Sequence, residues 1–360
     1  MSKSTTELPT LTLDGELVPF SPGETLYEIS QRARAEVPTL CYDDRLEPFG
    51  GCRLCVVEVE GVRNPVASCT TKASVGMVVR TTSERLEKHR KTLVGLVASE
   101  NHKKRVGELR GAASQELRVL TQRYRVNGTR FEGRKSGQTR HDDGNPFILR
   151  DYDECISCYR CVRVCAEQEG DYAITVKNRG FETQITTEFD GLLEESACTF
   201  CGQCVQTCPT GALGDRKALR AEPLPGVTKT TRSVCPYCGV GCAVDLVSKG
   251  ERLVGIRPAR DGGANEGALC VKGQFAFDWV QHPDRLDTPM VREDGKLRAA
   301  SWDEALDRAA AGFAKARDDH GRDSIYAVAS GRAPMESTYA LQKFIRASFG
   351  TNYIDNCSRA

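Results

Sequence analysis

The stretch CISCYRCVRVC, residues 155–165, returns in altered form as CTFCGQCVQTCP, residues 198–209. Each copy spaces its thiols C-x2-C-x2-C-x3-C: Cys155, Cys158, Cys161 and Cys165, then Cys198, Cys201, Cys204 and Cys208. Thiolates are soft ligands, and four of them at this spacing suit a 4Fe-4S cube. Zinc knuckles are the competing reading. Pro209 follows the second copy but Ala166 the first, a departure that weakens the turn and removes no ligand. TVKNRG and TQITTEF, in the long connection between the copies, are the expected strands.

Outward from this repeat, the 360 residues hold seventeen cysteines, and sixteen of them fall into quartets. So many thiols in a reducing compartment are ligands before they are disulfides. The start MSKSTTELPT has no basic, apolar or twin-arginine leader. No apolar run reaches the roughly eighteen residues of a membrane span, so a cytoplasmic protein is expected. The formal charge of +1 says little alone, but Arg80 to Arg140 holds sixteen basic and six acidic residues. That excess suits a solvated face first and a docking surface for an acidic redox partner second. Nucleic acid is a poor third, because no recognised nucleic-acid module accompanies the charge.

Upstream, LTLDGELVPF, CVVEVEGV and GMVVRTT alternate as strands do, around one helical segment from Thr25 to Ala35. Cys41, Cys52, Cys55 and Cys69 fall in this β-rich stretch, with Gly50 and Gly51 leading into the second thiol. Glycines there let backbone N–H groups approach cluster sulfurs. The first gap is too long for a zinc ribbon. Ser83 is a plausible N-cap for a helix whose face carries Leu86, His89, Leu93, Val94, Leu96 and Val97.

Downstream of the linker AEPLPGVTKTTRS comes SVCPYCGVGC. Its Cys235, Cys238 and Cys242 are joined by Cys270 after the excursion VDLVSKGERLVGIRPA. This spacing suits a third cube whose last ligand returns from a β-rich loop. From Ser301 the chain turns α/β. Ser301 and Glu304 form an expected capping box for a helix with Leu306, Ala309, Ala310 and Phe313. The strand SIYAVAS leads through Gly331 to a helix from Met335 to Phe349, stopped by Gly350. Ser330, Gly331 and Arg332 are candidates for contact with a nucleotide-like ligand, against plain turn chemistry. No G-x-G-x-x-G is present, so nothing supports direct NAD binding.

These motifs resemble known families. The cysteine repeat resembles the bacterial two-cluster ferredoxin fold, in which each run gives its fourth cysteine to the other cluster. That resemblance implies one 4Fe-4S set of Cys155, Cys158, Cys161 and Cys208, and a second of Cys198, Cys201, Cys204 and Cys165. CYDDRLEPFGGCRLCVVEVE with ASCTT resembles the 2Fe-2S domain of the complex I large iron–sulfur subunit, iron-only hydrogenases and cytosolic formate dehydrogenases. It implies a 2Fe-2S cluster on Cys41, Cys52, Cys55 and Cys69. Those families continue with a histidine and three cysteines; here His102 matches, but Val106, Leu109 and Gln115 stand in the cysteine positions, so no cluster is expected there.

SVCPYCGVGC, ALCVKG, HPDRLDTPMVR and SWDEALDRAA together resemble the start of molybdenum or tungsten bis-pterin oxidoreductases, among them formate dehydrogenase and nitrate reductase. The resemblance implies a 4Fe-4S cluster on Cys235, Cys238, Cys242 and Cys270, with Lys272 as an electron relay to a pterin. FGTNYIDNCSRA resembles the approach to the metal-binding cysteine or selenocysteine of formate dehydrogenases, which would fall at position 361. A selenocysteine codon read as a stop is the expectation there, with Cys357 a structural thiol.

The expected fold class is α+β multidomain: a β-grasp 2Fe-2S ferredoxin domain (1–80), a helical region with a degenerate site for a histidine and three cysteines (81–145) and a two-cluster 4Fe-4S ferredoxin domain (146–220). A linker (221–231) then leads to a β-rich 4Fe-4S domain (232–290) and the start of an α/β pterin-binding domain (291–360). The resemblance implies a formate dehydrogenase catalytic subunit whose full-length form holds molybdenum or tungsten on a bis-pterin guanine dinucleotide. No catalytic residue is expected within this chain, which alone would be inactive. Expected partners are formate, for the full-length enzyme, and a flavin- and NAD-binding diaphorase subunit or a ferredoxin, with no nucleic acid and no membrane span. The alternative is a non-catalytic electron-transfer subunit of a complex I-like or hydrogenase assembly. CPYCGVGC replaces the catalytic-cluster motif of iron-only hydrogenase, and both ferredoxin runs are complete, unlike those of complex I. Nitrate or another substrate is the third reading.

Overall fold

The structure, a computed structural model, describes residues 8–100, 115–126, 131, 133, 144–221 and 227–356. It divides into two compact units, residues 1–224 and 225–360. His102, Val106, Leu109 and Cys357 lie outside the described residues.

The first unit opens with a hairpin of β1 (Thr10–Leu13) and β2 (Glu16–Pro19), turned at Asp14 and Gly15. Thr25 then caps α1 (Leu26–Arg32): its hydroxyl accepts from Glu28 N, and the Glu28 carboxylate accepts from Thr25 N at 2.7 Å. Next come β3 (Val56–Val59), β4 (Val66–Ala67) and β5 (Val78–Arg80). The sheet order is β2-β1-β5-β3-β4, with β1 and β5 parallel and the other pairs antiparallel. Leu11, Leu13, Phe20, Leu26, Ile29, Val57 and Val79 fill its core, and Cys55 and Cys69 are buried among them.

As the sequence implies, Ser83 caps α2 (Glu84–Glu100), its hydroxyl accepting from Leu86 N at 3.1 Å. The expected apolar face is only partly right. His89 and Leu96 are exposed, and Arg90 is fully buried. Arg90 donates to the Val56 carbonyl at 2.8 Å and to Glu87 at 3.0 Å, so α2 is tied to β3 by a polar contact that apolar periodicity does not report. Leu117 and Leu120 of α3 (Glu116–Arg123) pack with Leu40, Leu54 and Val94. Gln115, one of the three residues in the expected cysteine positions, is the N-cap of α3 and makes no side-chain capping bond.

The cysteine repeat folds around β6 (Ile148–Arg150) and two short helices, α4 (Arg160–Val164) and α5 (Gln203–Thr207), which pack on each other. Between the helices lie β7 (Thr175–Lys177) and β8 (Gln184–Thr186), an antiparallel pair within the two expected strand segments. After α5, β9 (Leu213–Asp215) pairs with β6 and leads into α6 (Arg216–Ala221). The Ala166/Pro209 difference has a visible effect. With alanine, the backbone runs past α4 into a π-helical turn, Cys165–Glu169, which ends at left-handed Gly170. With proline, α5 stops at Thr207.

The second unit begins with an antiparallel meander of β10 (Thr228–Val234), β11 (Ala243–Lys249) and β12 (Arg252–Pro258). A short helix, α7 (Val271–Phe275), and the hairpin of β13 (Met290–Glu293) with β14 (Lys296–Ala299) follow. Ser301 caps α8 (Trp302–His320), but only half of the expected capping box forms. Glu304 N donates to Ser301, whereas the Glu304 carboxylate turns to Arg298 at 2.6 Å. No residue of α8 is buried. Ile325, Ala327 and Ile345 form a small core joining β15 (Ala327–Ala329), α9 (Met335–Phe349) and β16 (Ile354–Asn356), with β15 and β16 parallel. Among the described residues no helix is long and apolar enough to cross a membrane.

Candidate metal centres

The two cysteine runs build the same local geometry twice. Ser157 and Phe200 take left-handed φ of 52° and 55°, and each turns its backbone N–H onto the preceding sulfur, of Cys155 and Cys198, at 3.4 Å. Tyr159 and Gly202 are also left-handed and cap α4 and α5. The backbone N–H groups of Arg160 and Gln203 then bond the sulfurs of Cys158 and Cys201. Amides aimed at sulfur favour the thiolate and stabilise the charge of a thiolate-ligated cluster.

The fourth cysteine of each run faces the other run. Cys155, Cys158, Cys161 and Cys208 line one cavity, walled by Tyr152, Ile156, Ile185 and Leu213. Burial raises the Cys158 and Cys161 thiols, and the nearby charges of Cys155 and Cys208 raise them further. Cys204, also raised by burial, feels Cys201, Cys198, Cys165 and, least, Cys208, and Cys201 is pushed up to about 12 by burial and its neighbours.

In the sheet domain, Cys41 and Cys52 share a hydrogen bond that lowers Cys52 and raises Cys41. Leu40 N donates to the Cys52 sulfur, and Cys52 N to the Cys41 sulfur, both at 3.4 Å. The Cys55 and Cys69 sulfurs are 3.3 Å apart, and Cys55 is lowered to about 7 by that bond. Cys69 also feels Cys41 and Cys52, so the four thiols form one group. A side chain on Gly51 would meet the Phe49 ring at 2.5 Å, and Gly50 is left-handed at φ 69°. The glycine pair therefore suits a left-handed turn packed closely under Phe49 and Thr70.

In the second unit, burial raises Cys242, which also feels Cys235, Cys238 and Cys270. Cys270 caps α7. Lys272 is exposed, and its Nζ lies 6.0 Å from the centre of the Tyr237 ring, between Cys235 and Cys238 in sequence. Ser330 Oγ accepts from Arg332 N at 3.1 Å, which is turn chemistry, and the Gly331 carbonyl lies against Gly239 of the cysteine loop.

The donor chemistry of all four groups fits iron–sulfur clusters: four thiols each, backbone amides on the sulfurs of three groups, and largely apolar walls where the cavity is seen. Among the described residues no three His, Cys, Asp or Glu side chains are drawn tight enough to hold one metal ion, so these groupings are shared surroundings and not closed coordination. One relationship escaped the sequence. Asp43, next to the Cys41 loop, is buried against Arg45, Thr207 and Arg160. Asp43 and Arg160 lie too far apart in sequence to carry a motif.

Four family patterns match in succession. They are a 2Fe-2S iron-sulfur cluster binding domain over residues 8–84 and the ferredoxin-like domain of NADH-quinone oxidoreductase subunit 3 over 145–214. The molybdopterin oxidoreductase Fe4S4 domain follows over 228–282, and molybdopterin oxidoreductase over 285–360. The chain is 34% identical over 352 residues to an NADH-quinone oxidoreductase subunit of Rhizobium meliloti (strain 1021), covering 97% of this chain and 40% of that protein. It is 34% identical over 363 residues to the NADPH-Fe(3+) oxidoreductase subunit alpha of Geobacter sulfurreducens, again covering 97% and 40%. It is 28% identical over 386 residues to a putative formate dehydrogenase of Staphylococcus haemolyticus (strain JCSC1435), covering 97% and 39%. The chain therefore spans about 40% of the length of these relatives. Among solved structures, a chain of an NAD+-reducing NiFe-hydrogenase in the H2-reduced state is similar, with a TM-score of 0.52 and 31% identity, over 58% of this chain and 87% of that one.

Proposed function

We propose that this chain, whose successive segments match 2Fe-2S, Fe4S4 and molybdopterin oxidoreductase patterns, conducts electrons singly between a pterin site and an external acceptor. Bound iron–sulfur clusters supply reversible one-electron storage. The chain's own part is to hold them. Cys41, Cys52, Cys55 and Cys69 would bind 2Fe-2S. Cys155, Cys158, Cys161 and Cys208, then Cys198, Cys201, Cys204 and Cys165, would bind two cubes, and Cys235, Cys238, Cys242 and Cys270 a third.

The grouping of Cys208 with Cys155, Cys158 and Cys161 around one cavity supports this reading, because two adjacent cubes would share the runs in this way and zinc knuckles would not. Lys272 lies beside the fourth group, where an exposed ammonium can bond a pterin and favour an added electron. Formate dehydrogenation by the full-length protein, with a flavin- and NAD-binding subunit as acceptor, is the function we favour. The match to the pterin oxidoreductase pattern over 285–360 and the putative formate dehydrogenases among the relatives support it.

A second reading, a non-catalytic electron-transfer subunit, is favoured by the higher identity to the NADH-quinone and NADPH-Fe(3+) oxidoreductase subunits. The full-length protein, purified without oxygen, decides between them. Molybdenum or tungsten with formate-dependent reduction of its clusters is expected; iron and sulfide without either metal gives the second reading. Zinc without acid-labile sulfide overturns both.

A further inference from the structure

Arg160 stands between two cysteines of the first run and is 5% exposed. Its Nε donates to Thr207 Oγ1 at 3.0 Å, and Thr207 precedes Cys208. Its Nη1 donates to Glu116 at 2.7 Å and reaches the Leu40 carbonyl at 3.4 Å, while Leu40 N donates to the Cys52 sulfur. Its Nη2 lies 3.9 Å from Asp43, which also accepts from Thr207 at 2.7 Å. One guanidinium, carried between Cys158 and Cys161, thus touches Thr207 beside Cys208 on one side and Leu40 and Asp43 of the Cys41 loop on the other.

The sister run has Gln203 at this position, equally buried. Gln203 accepts from Arg45, so its surroundings receive a cation from the sheet domain, whereas the first run supplies its own. Burying a guanidinium is costly unless its donors are placed. Here they are placed on both domains at once.

We propose that Arg160 is a positioning residue that clamps the 2Fe-2S loop onto the first cube and sets that cube's reduction potential by its fixed positive charge. The inference rests on the cluster reading above. An electron entering the cube adds negative charge beside a cation that water cannot screen, so the reduced form is favoured. Losing the cation lowers the potential. Losing only the forked geometry loosens the contact with the Leu40 loop but keeps most of the charge effect.

The test is an anaerobic redox titration followed by electron paramagnetic resonance, on the full chain with iron and sulfide counted. Arg160→Gln places the sister run's residue on a backbone of the same form, and Asp43 keeps Arg45 and Thr207 as partners. One cube is expected to fall in potential, by about tenfold in its reduced-to-oxidised ratio or about 59 mV for one electron. Arg160→Lys restores most of that shift yet leaves the spin coupling between the 2Fe-2S and cube signals weakened. Glu116→Gln, which removes a facing anion, raises the same potential. The proposal is overturned if Arg160→Gln leaves every cube ratio within about twofold of wild type, or if Lys and Gln shift it equally. Should Arg160→Gln fail to fold, an unmoved potential in Glu116→Gln overturns it alone. A wild-type chain lacking the cubes would defeat the cluster reading instead, a different result.

Discussion

Tyr159 and Gly202 occupy the same place in the two cysteine runs, at φ 62° and 77°, each directly before its short helix. A tyrosine is held where the fold's other copy uses glycine. Its ring meets Phe49 edge-on at 5.6 Å, and Phe49 also faces Arg163.

Left-handed backbone costs a tyrosine about 1–2 kcal/mol, and an aromatic pair returns about 0.5–1.5 kcal/mol. Tyr159→Gly is therefore expected to change stability by less than about 1 kcal/mol, because relief and loss nearly cancel. Gly202→Ala, with strain and no new contact, should destabilise by about 1 kcal/mol. Denaturation midpoints followed by circular dichroism measure both, and a large loss in Tyr159→Gly alone would contradict this account.

Cysteine substitution separates the crossed pairing from a simple one. Cys208→Ser should alter the same paramagnetic signal as Cys155→Ser, and Cys165→Ser the same signal as Cys198→Ser. If Cys208→Ser instead matches Cys198→Ser, each run serves a single cube and the exchange is wrong.

Arg90 joins α2 to β3 through the Val56 carbonyl, with its Nε lacking a hydrogen-bond partner among the described residues. Arg90→Ala opens a cavity and strips the carbonyl of that donor, for a loss of about 2–4 kcal/mol. Arg90→Met keeps the stem and removes the unpaired nitrogen, so it should cost about half as much. Urea unfolding gives the comparison.

Burial raises the thiols of Cys158, Cys161 and Cys204, so the metal-free chain holds them protonated at neutral pH. Iron takes the thiolate, and each ligand bond displaces a proton. Falling pH therefore favours the free thiol, and chelator-driven bleaching should be faster at about pH 6 than at about pH 8. Reconstitution in weak buffer should acidify the solution. Bleaching that is faster at the alkaline end would reverse the sign.

The grouping of the thiols was legible because spacing is a local property, fixed by the few residues between Cys155 and Cys165. Thr25, Ser83 and Gly350 likewise announced helix ends through chemistry confined to one turn. Glu304 misled for the same reason. Its capping role is local, but Arg298 on the neighbouring hairpin competes for the carboxylate. Arg90 and Asp43 were hidden because a buried charge depends on partners from distant segments. Thr207 reaches Asp43 across 164 residues, and no pattern in either stretch points to the other.

The proposed exchange of Cys165 and Cys208 would also impose an order of manufacture. A ribosome releases the sheet domain's last thiol at Cys69, so that site can close while the rest of the chain is still being made. On that assignment neither cube could close before the second run emerges, the second waiting for Cys204 and the first for Cys208. The two cubes would then be built within four residues of each other, and a nascent chain stalled between the runs would carry the four bare thiols of the first run exposed to oxygen.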